Sequence, residues 1–258
     1  MNIVVCVKQV PDVDDIKWTK ENNLDRSLML SKINPQDEWA LDWAMNIKLN
    51  YIRAKITVIS MGPAQCADIL NYAIAKGCSR GILLSDKMFA ASDTLATSKI
   101  LSCAIKKYIP DYNVILTGQM AADGDTAQVP VSLSQMLDVA DITNAIEIVN
   151  ADKNNVIVKQ KLDSILNIYQ CETPCLIAVK APCPNSFVPK ISDYIRAQNK
   201  GIEKYCFEDL GLSKYEVGIL GSPTTVYKAF RPEINKDTKE ITQNHSDFIV
   251  DLIKKVGN

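Results

Sequence analysis

An apolar segment, Val114-Ile115-Leu116, runs into Thr117-Gly118-Gln119-Met120-Ala121-Ala122-Asp123-Gly124-Asp125-Thr126-Ala127-Gln128, and a helical pattern follows. A strand, a loop of small residues and a helix start in that order suit an anionic ligand at the helix N-terminus, because unpaired N–H groups and the helix dipole converge there. Asp125 with Gln128 three positions later reads as a variant capping box. It places Asp125 at the N-cap and Thr126, Ala127 and Gln128 in the first turn. Gly118 and Gly124 would allow positive φ and close backbone approach. An ordinary strand-to-helix turn, in which Asp123 and Asp125 only cap, fits the same residues.

Other candidate loops belong to the same sheet edge. Cys6-Val7-Lys8-Gln9-Val10-Pro11-Asp12 ends a first strand, and Asn34-Pro35-Gln36-Asp37 opens a helix with Asn at the N-cap, Pro at N1 and acid in the first turn. Ser60-Met61-Gly62-Pro63 ends another strand, and Ser92 through Ser98, with Thr94 and Thr97, opens another helix. In an open α/β sheet the loops at the C-terminal strand ends surround one crevice.

The elements that must position these loops alternate along the chain. Strands are expected near 2–8, 55–61, 80–84, 113–117 and 175–180, and helices near 35–49, 63–76, 92–108 and 127–137. The segments 144–149, 155–162 and 165–170 read as a small β excursion, with a polar turn at Asp152-Lys153-Asn154-Asn155. Trp39 and Trp43 fall four apart on the first helix, a spacing suited to packing. After Pro182, Pro184 and Pro189 the pattern breaks, and a polar tail leads to an amphipathic helix near 245–256. The expected architecture is an α/β domain over 1–182, a Rossmann-like mostly parallel sheet of the adenine-nucleotide-binding type, with an extended C-terminal arm over 183–258.

Composition excludes several classes. The 258 residues are 47% hydrophobic and 23% charged, with a net charge of −1, so no basic footprint for nucleic acid or an anionic membrane is present. The apolar run at the N-terminus is too short for a signal peptide or a membrane span, which leads to the expectation of a cytoplasmic protein without direct membrane insertion. Eight cysteines contain no CxxC pair and read as reduced thiols rather than a metal site. The only histidine, His245, lies near the C-terminus, which removes most histidine-based catalytic schemes. No catalytic residue is assigned.

Together these segments resemble the electron transfer flavoprotein β-subunit (FixA) family, closer to its anaerobic or bifurcating branch. The resemblance rests on Val-Lys-Gln-Val-Pro-Asp at 7–12, Asn-Pro-Gln-Asp-Glu at 34–38, Ser-Met-Gly-Pro-Ala-Gln at 60–65, Ala-Lys-Gly-Cys-Ser-Arg at 75–80 and, most specifically, Asp-Gly-Asp-Thr-Ala-Gln-Val at 123–129. It implies an electron carrier subunit rather than a complete enzyme, paired with a homologous α-subunit. Through FAD, the pair would pass electrons between NADH or a dehydrogenase and an acyl-CoA dehydrogenase-type partner.

The same resemblance implies a nucleotide held by Cys6, Asn34, Pro35, Gln36, Asp37, Met61, Thr94, Thr97 and the loop Gln119, Met120, Ala121, Ala122, Asp123, Gly124, Asp125, Thr126, Ala127, Gln128 and Val129. It favours FAD in this subunit, with structural AMP as the alternative and a stand-alone adenine-nucleotide module as a third reading. The chain departs from the family at Gln119, where Lys or Arg is usual, at Met120, where Gln is usual, and at Pro130, where Gly is usual. A partner-docking segment is implied at Ile191, Tyr194 and Ile195.

Overall fold

The structure, a computed structural model, describes residues 1–12, 31–51, 53–225, 246, 249–250 and 253–254. The chain divides into two compact units, Met1–Tyr227 and Lys228–Asn258. In chain order the first unit contains β1 (Asn2–Cys6), β2 (Gln9–Pro11), β3 (Ser31–Ile33), α1 (Pro35–Asn50), β4 (Lys55–Met61), α2 (Ala67–Lys76), β5 (Arg80–Leu84), α3 (Thr94–Tyr108), β6 (Val114–Gly118), α4 (Val129–Leu137), β7 (Ala140–Ala151), β8 (Asn155–Leu162), β9 (Ile165–Glu172), β10 (Cys175–Val179), α5 (Ile191–Lys200), β11 (Glu203–Tyr205), α6 (Phe207–Leu210) and α7 (Gly218–Gly221).

Among the described residues nine strands form one sheet in the order β11-β5-β4-β1-β6-β10-β7-β8-β9, parallel from β11 through β7 and antiparallel beyond. The short β2 and β3 pair separately. The central strands are buried on both faces, which is why they read as unbroken apolar runs rather than alternations. Odd-numbered residues of β1 (Ile3, Val5) join Leu41, Trp43 and Leu70 of α1 and α2 on one face. Val4 and Cys6 join Ile100, Ile105 and Leu133 of α3 and α4 on the other. Trp43 lies in the first of these cores and its indole N–H donates to the Ala181 carbonyl at 3.2 Å, while Trp39 packs partly buried against the same core.

The mostly parallel α/β sheet matches the sequence reading, and the differences are local. The excursion is not a separate sheet: β7 pairs with β10 through its first half and with β8 through its second, so it carries the antiparallel strands out from the edge of the main sheet. Its polar turn is held by the Asp152 carboxylate, which accepts from the N–H groups of Asn154 and Asn155. Within 183–227 the chain adds a strand, β11, to the far edge of the sheet and sets α5 against α2. β11 has only three residues and is partly polar, which leaves no periodic signal.

In the second unit Ser246, Ile249, Val250, Ile253 and Lys254 are helical, in agreement with the terminal helix, and the three apolar residues among them are exposed. His245 and residues 226–230 lie outside the described residues. No helix among the described residues is long and apolar enough to cross a membrane.

Candidate functional site

The C-terminal ends of β1, β4 and β6 lie side by side, and the turn that opens α1 ties two of their loops together. Asn34 is the N-cap residue and Pro35 occupies the first turn as expected, yet the Asn34 side chain caps nothing. Its amide donates to the Met120 carbonyl at 2.9 Å and its oxygen accepts from the Ala122 N–H at 3.0 Å. Gln36 accepts from the Met120 N–H at 3.1 Å. The Asp37 carboxylate accepts from the N–H of Lys8 at 2.7 Å and of Gly118 at 3.0 Å. The three polar side chains of one turn thus act as a clamp on the backbone after β1 and β6, and the Lys8 ammonium closes it from outside on Asp123 at 2.7 Å.

Gly118 is required by this clamp. A Cβ there would lie 2.4 Å from the Asp37 carboxylate and 2.9 Å from the Asp37 backbone nitrogen, so any side chain would push α1 off the loop. The close approach expected of Gly118 is therefore made to α1, without positive φ, and Gly124 has open space around it.

The start of α4 differs from the sequence expectation. Asp125 is not an N-cap: the helix begins at Val129 with Gln128 as N-cap, and no side chain caps it. Asp125 and Ala127 instead have φ of 49° and 54°, left-handed values that L-residues other than Asn and Asp seldom adopt. Pro130 falls in the first turn, where a missing N–H breaks no helical bond. Left-handed Ala127 followed by right-handed Gln128 makes a pair of the kind that turns successive N–H groups toward one anion. Among the described residues the N–H groups of Thr126, Ala127 and Gln128 have no acceptor.

A cap and a left-handed loop residue respond differently to substitution. Asp125→Ala is expected to destabilise the fold by about 1 kcal/mol and Asp125→Gly to leave it unchanged or slightly more stable. Urea unfolding of the two variants checks this, since loss of a true N-cap would weaken both.

The remaining predicted residues fall into place around the clamp. Cys6 and Met61 end neighbouring strands on the α3/α4 face of the sheet. Burial, and then the Asp37 charge, pushes the Cys6 thiol up to about 12, so it stays protonated and unreactive. Gln119 is buried; its N–H donates to the Val179 carbonyl at 2.8 Å and its side-chain oxygen accepts from the Asn144 N–H at 2.6 Å. Its amide braces the loop against β7, a task that a Lys or Arg at this position could not perform as an acceptor.

Thr94 and Thr97 lie in the first two turns of α3. That N-terminus is already capped by Asp93, whose carboxylate accepts from Leu95 and Ala96. The hydroxyl of Ser98 joins this helix to the Val129 carbonyl at 3.4 Å. Two contributors were missed from sequence. Lys8 carries its signal in the Val-Lys-Gln-Val-Pro-Asp motif, whereas Thr117 has none: its hydroxyl is buried at the end of β6 without a partner among the described residues.

Burial raises the Asp37 carboxyl to about 7 from 3.8, against the lowering effect of the N–H groups it accepts from. A folded-state pKa raised above the unfolded value gives stability that is full below about 3.8 and is lost as pH rises through about 7. The unfolding free energy is therefore expected to fall by on the order of 2 kcal/mol between pH 5 and pH 8. The slope attributable to this group should vanish in Asp37→Asn, as measured by denaturant titration across that range.

Exposed apolar residues occur beside the site, as at Leu95 and Val131, along β9 and on α5. Ile191 is 82% exposed and Ile195 58% exposed on α5, with Tyr194 exposed between them and Val188 just before the helix. Among the described residues no group of His, Cys, Asp and Glu could hold a metal ion.

The family model for the electron transfer flavoprotein domain matches residues 26–208. The electron transfer flavoprotein β-subunit of Thermoanaerobacterium thermosaccharolyticum is 34% identical over 100% of this chain and 98% of its own length. That of Clostridium acetobutylicum is also 34% identical, over 99% and 98%. CarD, a subunit of the caffeyl-CoA reductase–Etf complex of Acetobacterium woodii, is 33% identical over 94% and 92%.

Proposed function

As the chain belongs to the electron transfer flavoprotein β-subunit family, we propose that it pairs with an α-subunit. The heterodimer then carries electrons between NADH or a dehydrogenase and an acyl-CoA dehydrogenase-type partner. The observation that carries this reading is the clamp: Asn34, Gln36 and Asp37 hold the loops after β1 and β6 so that three N–H groups without an acceptor among the described residues precede α4. That arrangement suits the phosphate of an adenine nucleotide, and it lies at the carboxyl edge of a mostly parallel sheet, where such ligands bind.

The residues present fit the group. The Thr117 hydroxyl is buried and without a partner among the described residues, one residue before the loop, and the left-handed strain at Ala127 is the kind that persists where a ligand is gripped. FAD is the nucleotide we assign, with AMP as the alternative; bound FAD would supply the redox chemistry itself. Cys6 and Met61 would line the site from the sheet, Thr126 through Gln128 would hold phosphate oxygens, and Gln119 would keep the loop in register. Similarity to CarD, named as part of a complex with a reductase of a CoA ester, supports a partner that acts on CoA thioesters.

The test is to extract and identify the nucleotides of the heterodimer purified after co-expression with its α-subunit. Two FAD per heterodimer are expected. One FAD with one AMP would establish the alternative, and a stable lone β-chain holding stoichiometric nucleotide would overturn the heterodimer reading.

A further inference from the structure

α1 carries a second polar cluster one turn beyond the clamp, and the nucleotide site does not use it. The Lys76 side chain of α2 is fully buried, with its ammonium 2.7 Å from Asp42 and 3.3 Å from Glu38. Glu38 also accepts from the Tyr72 hydroxyl, and burial together with that carboxylate raises the Tyr72 phenol, which keeps its proton. Asp42 accepts in addition from the backbone N–H of Phe187 at 3.2 Å, in the connection that leads to α5. The buried Lys76–Asp42 pair fixes its neighbours, because moving either partner leaves a charge unpaired in the interior, and the partly exposed Glu38 carboxylate extends the pair to Tyr72.

α5 has little else to hold it. Ala197 is its only buried residue, resting on Ile74 and Ala75. Its remaining ring contact is Tyr194 on Tyr72, with centroids 6.3 Å apart. A ten-residue helix is marginal without tertiary contacts, so its direction depends on those few. Tyr72 meets both sides: its hydroxyl is tied to the Glu38–Lys76–Asp42 cluster and its ring faces α5.

We propose that Tyr72 is a positioning residue for partner recognition, held by the Glu38–Lys76–Asp42 cluster so that its ring sets the orientation in which α5 presents Ile191 and Ile195. The inference rests on the reading of α5 as the docking surface. It also assigns a role to the buried cluster, which α1 shares with the nucleotide clamp.

The experiment uses the co-expressed heterodimer and compares wild type with Tyr72→Leu, Tyr72→Phe and Tyr194→Leu by hydrogen–deuterium exchange. The α5 amides should exchange about fivefold faster in Tyr72→Leu and in Tyr194→Leu, with α1, α2 and nucleotide content unchanged, and Tyr72→Phe should fall between these and wild type. With a purified butyryl-CoA dehydrogenase as probe, KM for the dehydrogenase should rise about fivefold at constant kcat in Tyr72→Leu, and an unchanged KM there overturns the proposal. Tyr194→Leu alters the docking segment itself and is judged by exchange alone. Exchange that rises equally in α1, α2 and α5, or not at all in α5 of either Leu variant, overturns the proposal. Should Tyr72→Leu fail to fold, Tyr194→Leu breaks the same contact from the exposed side. Ile191→Ala run in parallel separates the two readings: an unchanged KM there removes the docking surface, while the α5 exchange still decides the role of Tyr72.

Discussion

Asp37→Ala is expected to strip the nucleotide from this subunit and to lower the stability of the chain by about 4 kcal/mol. The carboxylate is buried and accepts two backbone N–H groups, those of Lys8 and Gly118. Each donor left unsatisfied in the interior costs about 1–3 kcal/mol, and alanine supplies no acceptor for either. The loop after β6 would then be tied to α1 only through Asn34 and Gln36, so the N–H groups before α4 would lose their fixed direction. Asp123→Ala is the control: its ion pair with Lys8 is largely exposed and contributes at most about 1 kcal/mol. Nucleotide content by extraction and unfolding by urea measure both effects. Full occupancy in Asp37→Ala heterodimer would mean that the clamp does not serve the ligand.

The sequence made most of the clamp's parts visible and hid what they touch. Asn34, Pro35 and Asp37 are legible as a helix start because capping chemistry is local, involving residues within one turn. What Asn34 and Asp37 bind lies 29 positions back, after β1, and 81 to 88 positions ahead, at the end of β6 and in the loop after it, and no spacing rule reaches that far. The same locality explains the misreading of Asp125. Asp followed three residues later by Gln matches a capping box, but a loop anchored at Met120 and Ala122 must cover the distance to Val129 through left-handed residues, and the helix starts late. Gln119 shows the limit of resemblance: as an acceptor for Asn144 it fills a place in the packing of β7 that only the assembled sheet defines. The central strands were legible for the opposite reason, since burial on both faces writes itself into an unbroken apolar run.

Ile191→Ala is expected to weaken electron transfer with an acyl-CoA dehydrogenase-type partner by about 2 kcal/mol, some thirtyfold in affinity, with flavin content and Tm unchanged. Ile191 is 82% exposed, so truncation removes almost no contact within the chain and leaves no cavity. An exposed isoleucine one turn from exposed Ile195, with Val188 beside the helix start, forms an apolar patch that a partner can bury, and a single anchor in a partner pocket carries energy of this size. The same helix supplies the contrast. Ala197 is 1% exposed against Ile74 and Ala75, and Ala197→Leu overpacks that contact by about 1–3 kcal/mol, lowering Tm by displacing α5. Steady-state transfer measured against dehydrogenase concentration, together with thermal unfolding, separates the two behaviours. An Ile191→Ala protein that melts early but transfers electrons normally per folded molecule would make Ile191 a packing residue and move the docking surface off α5.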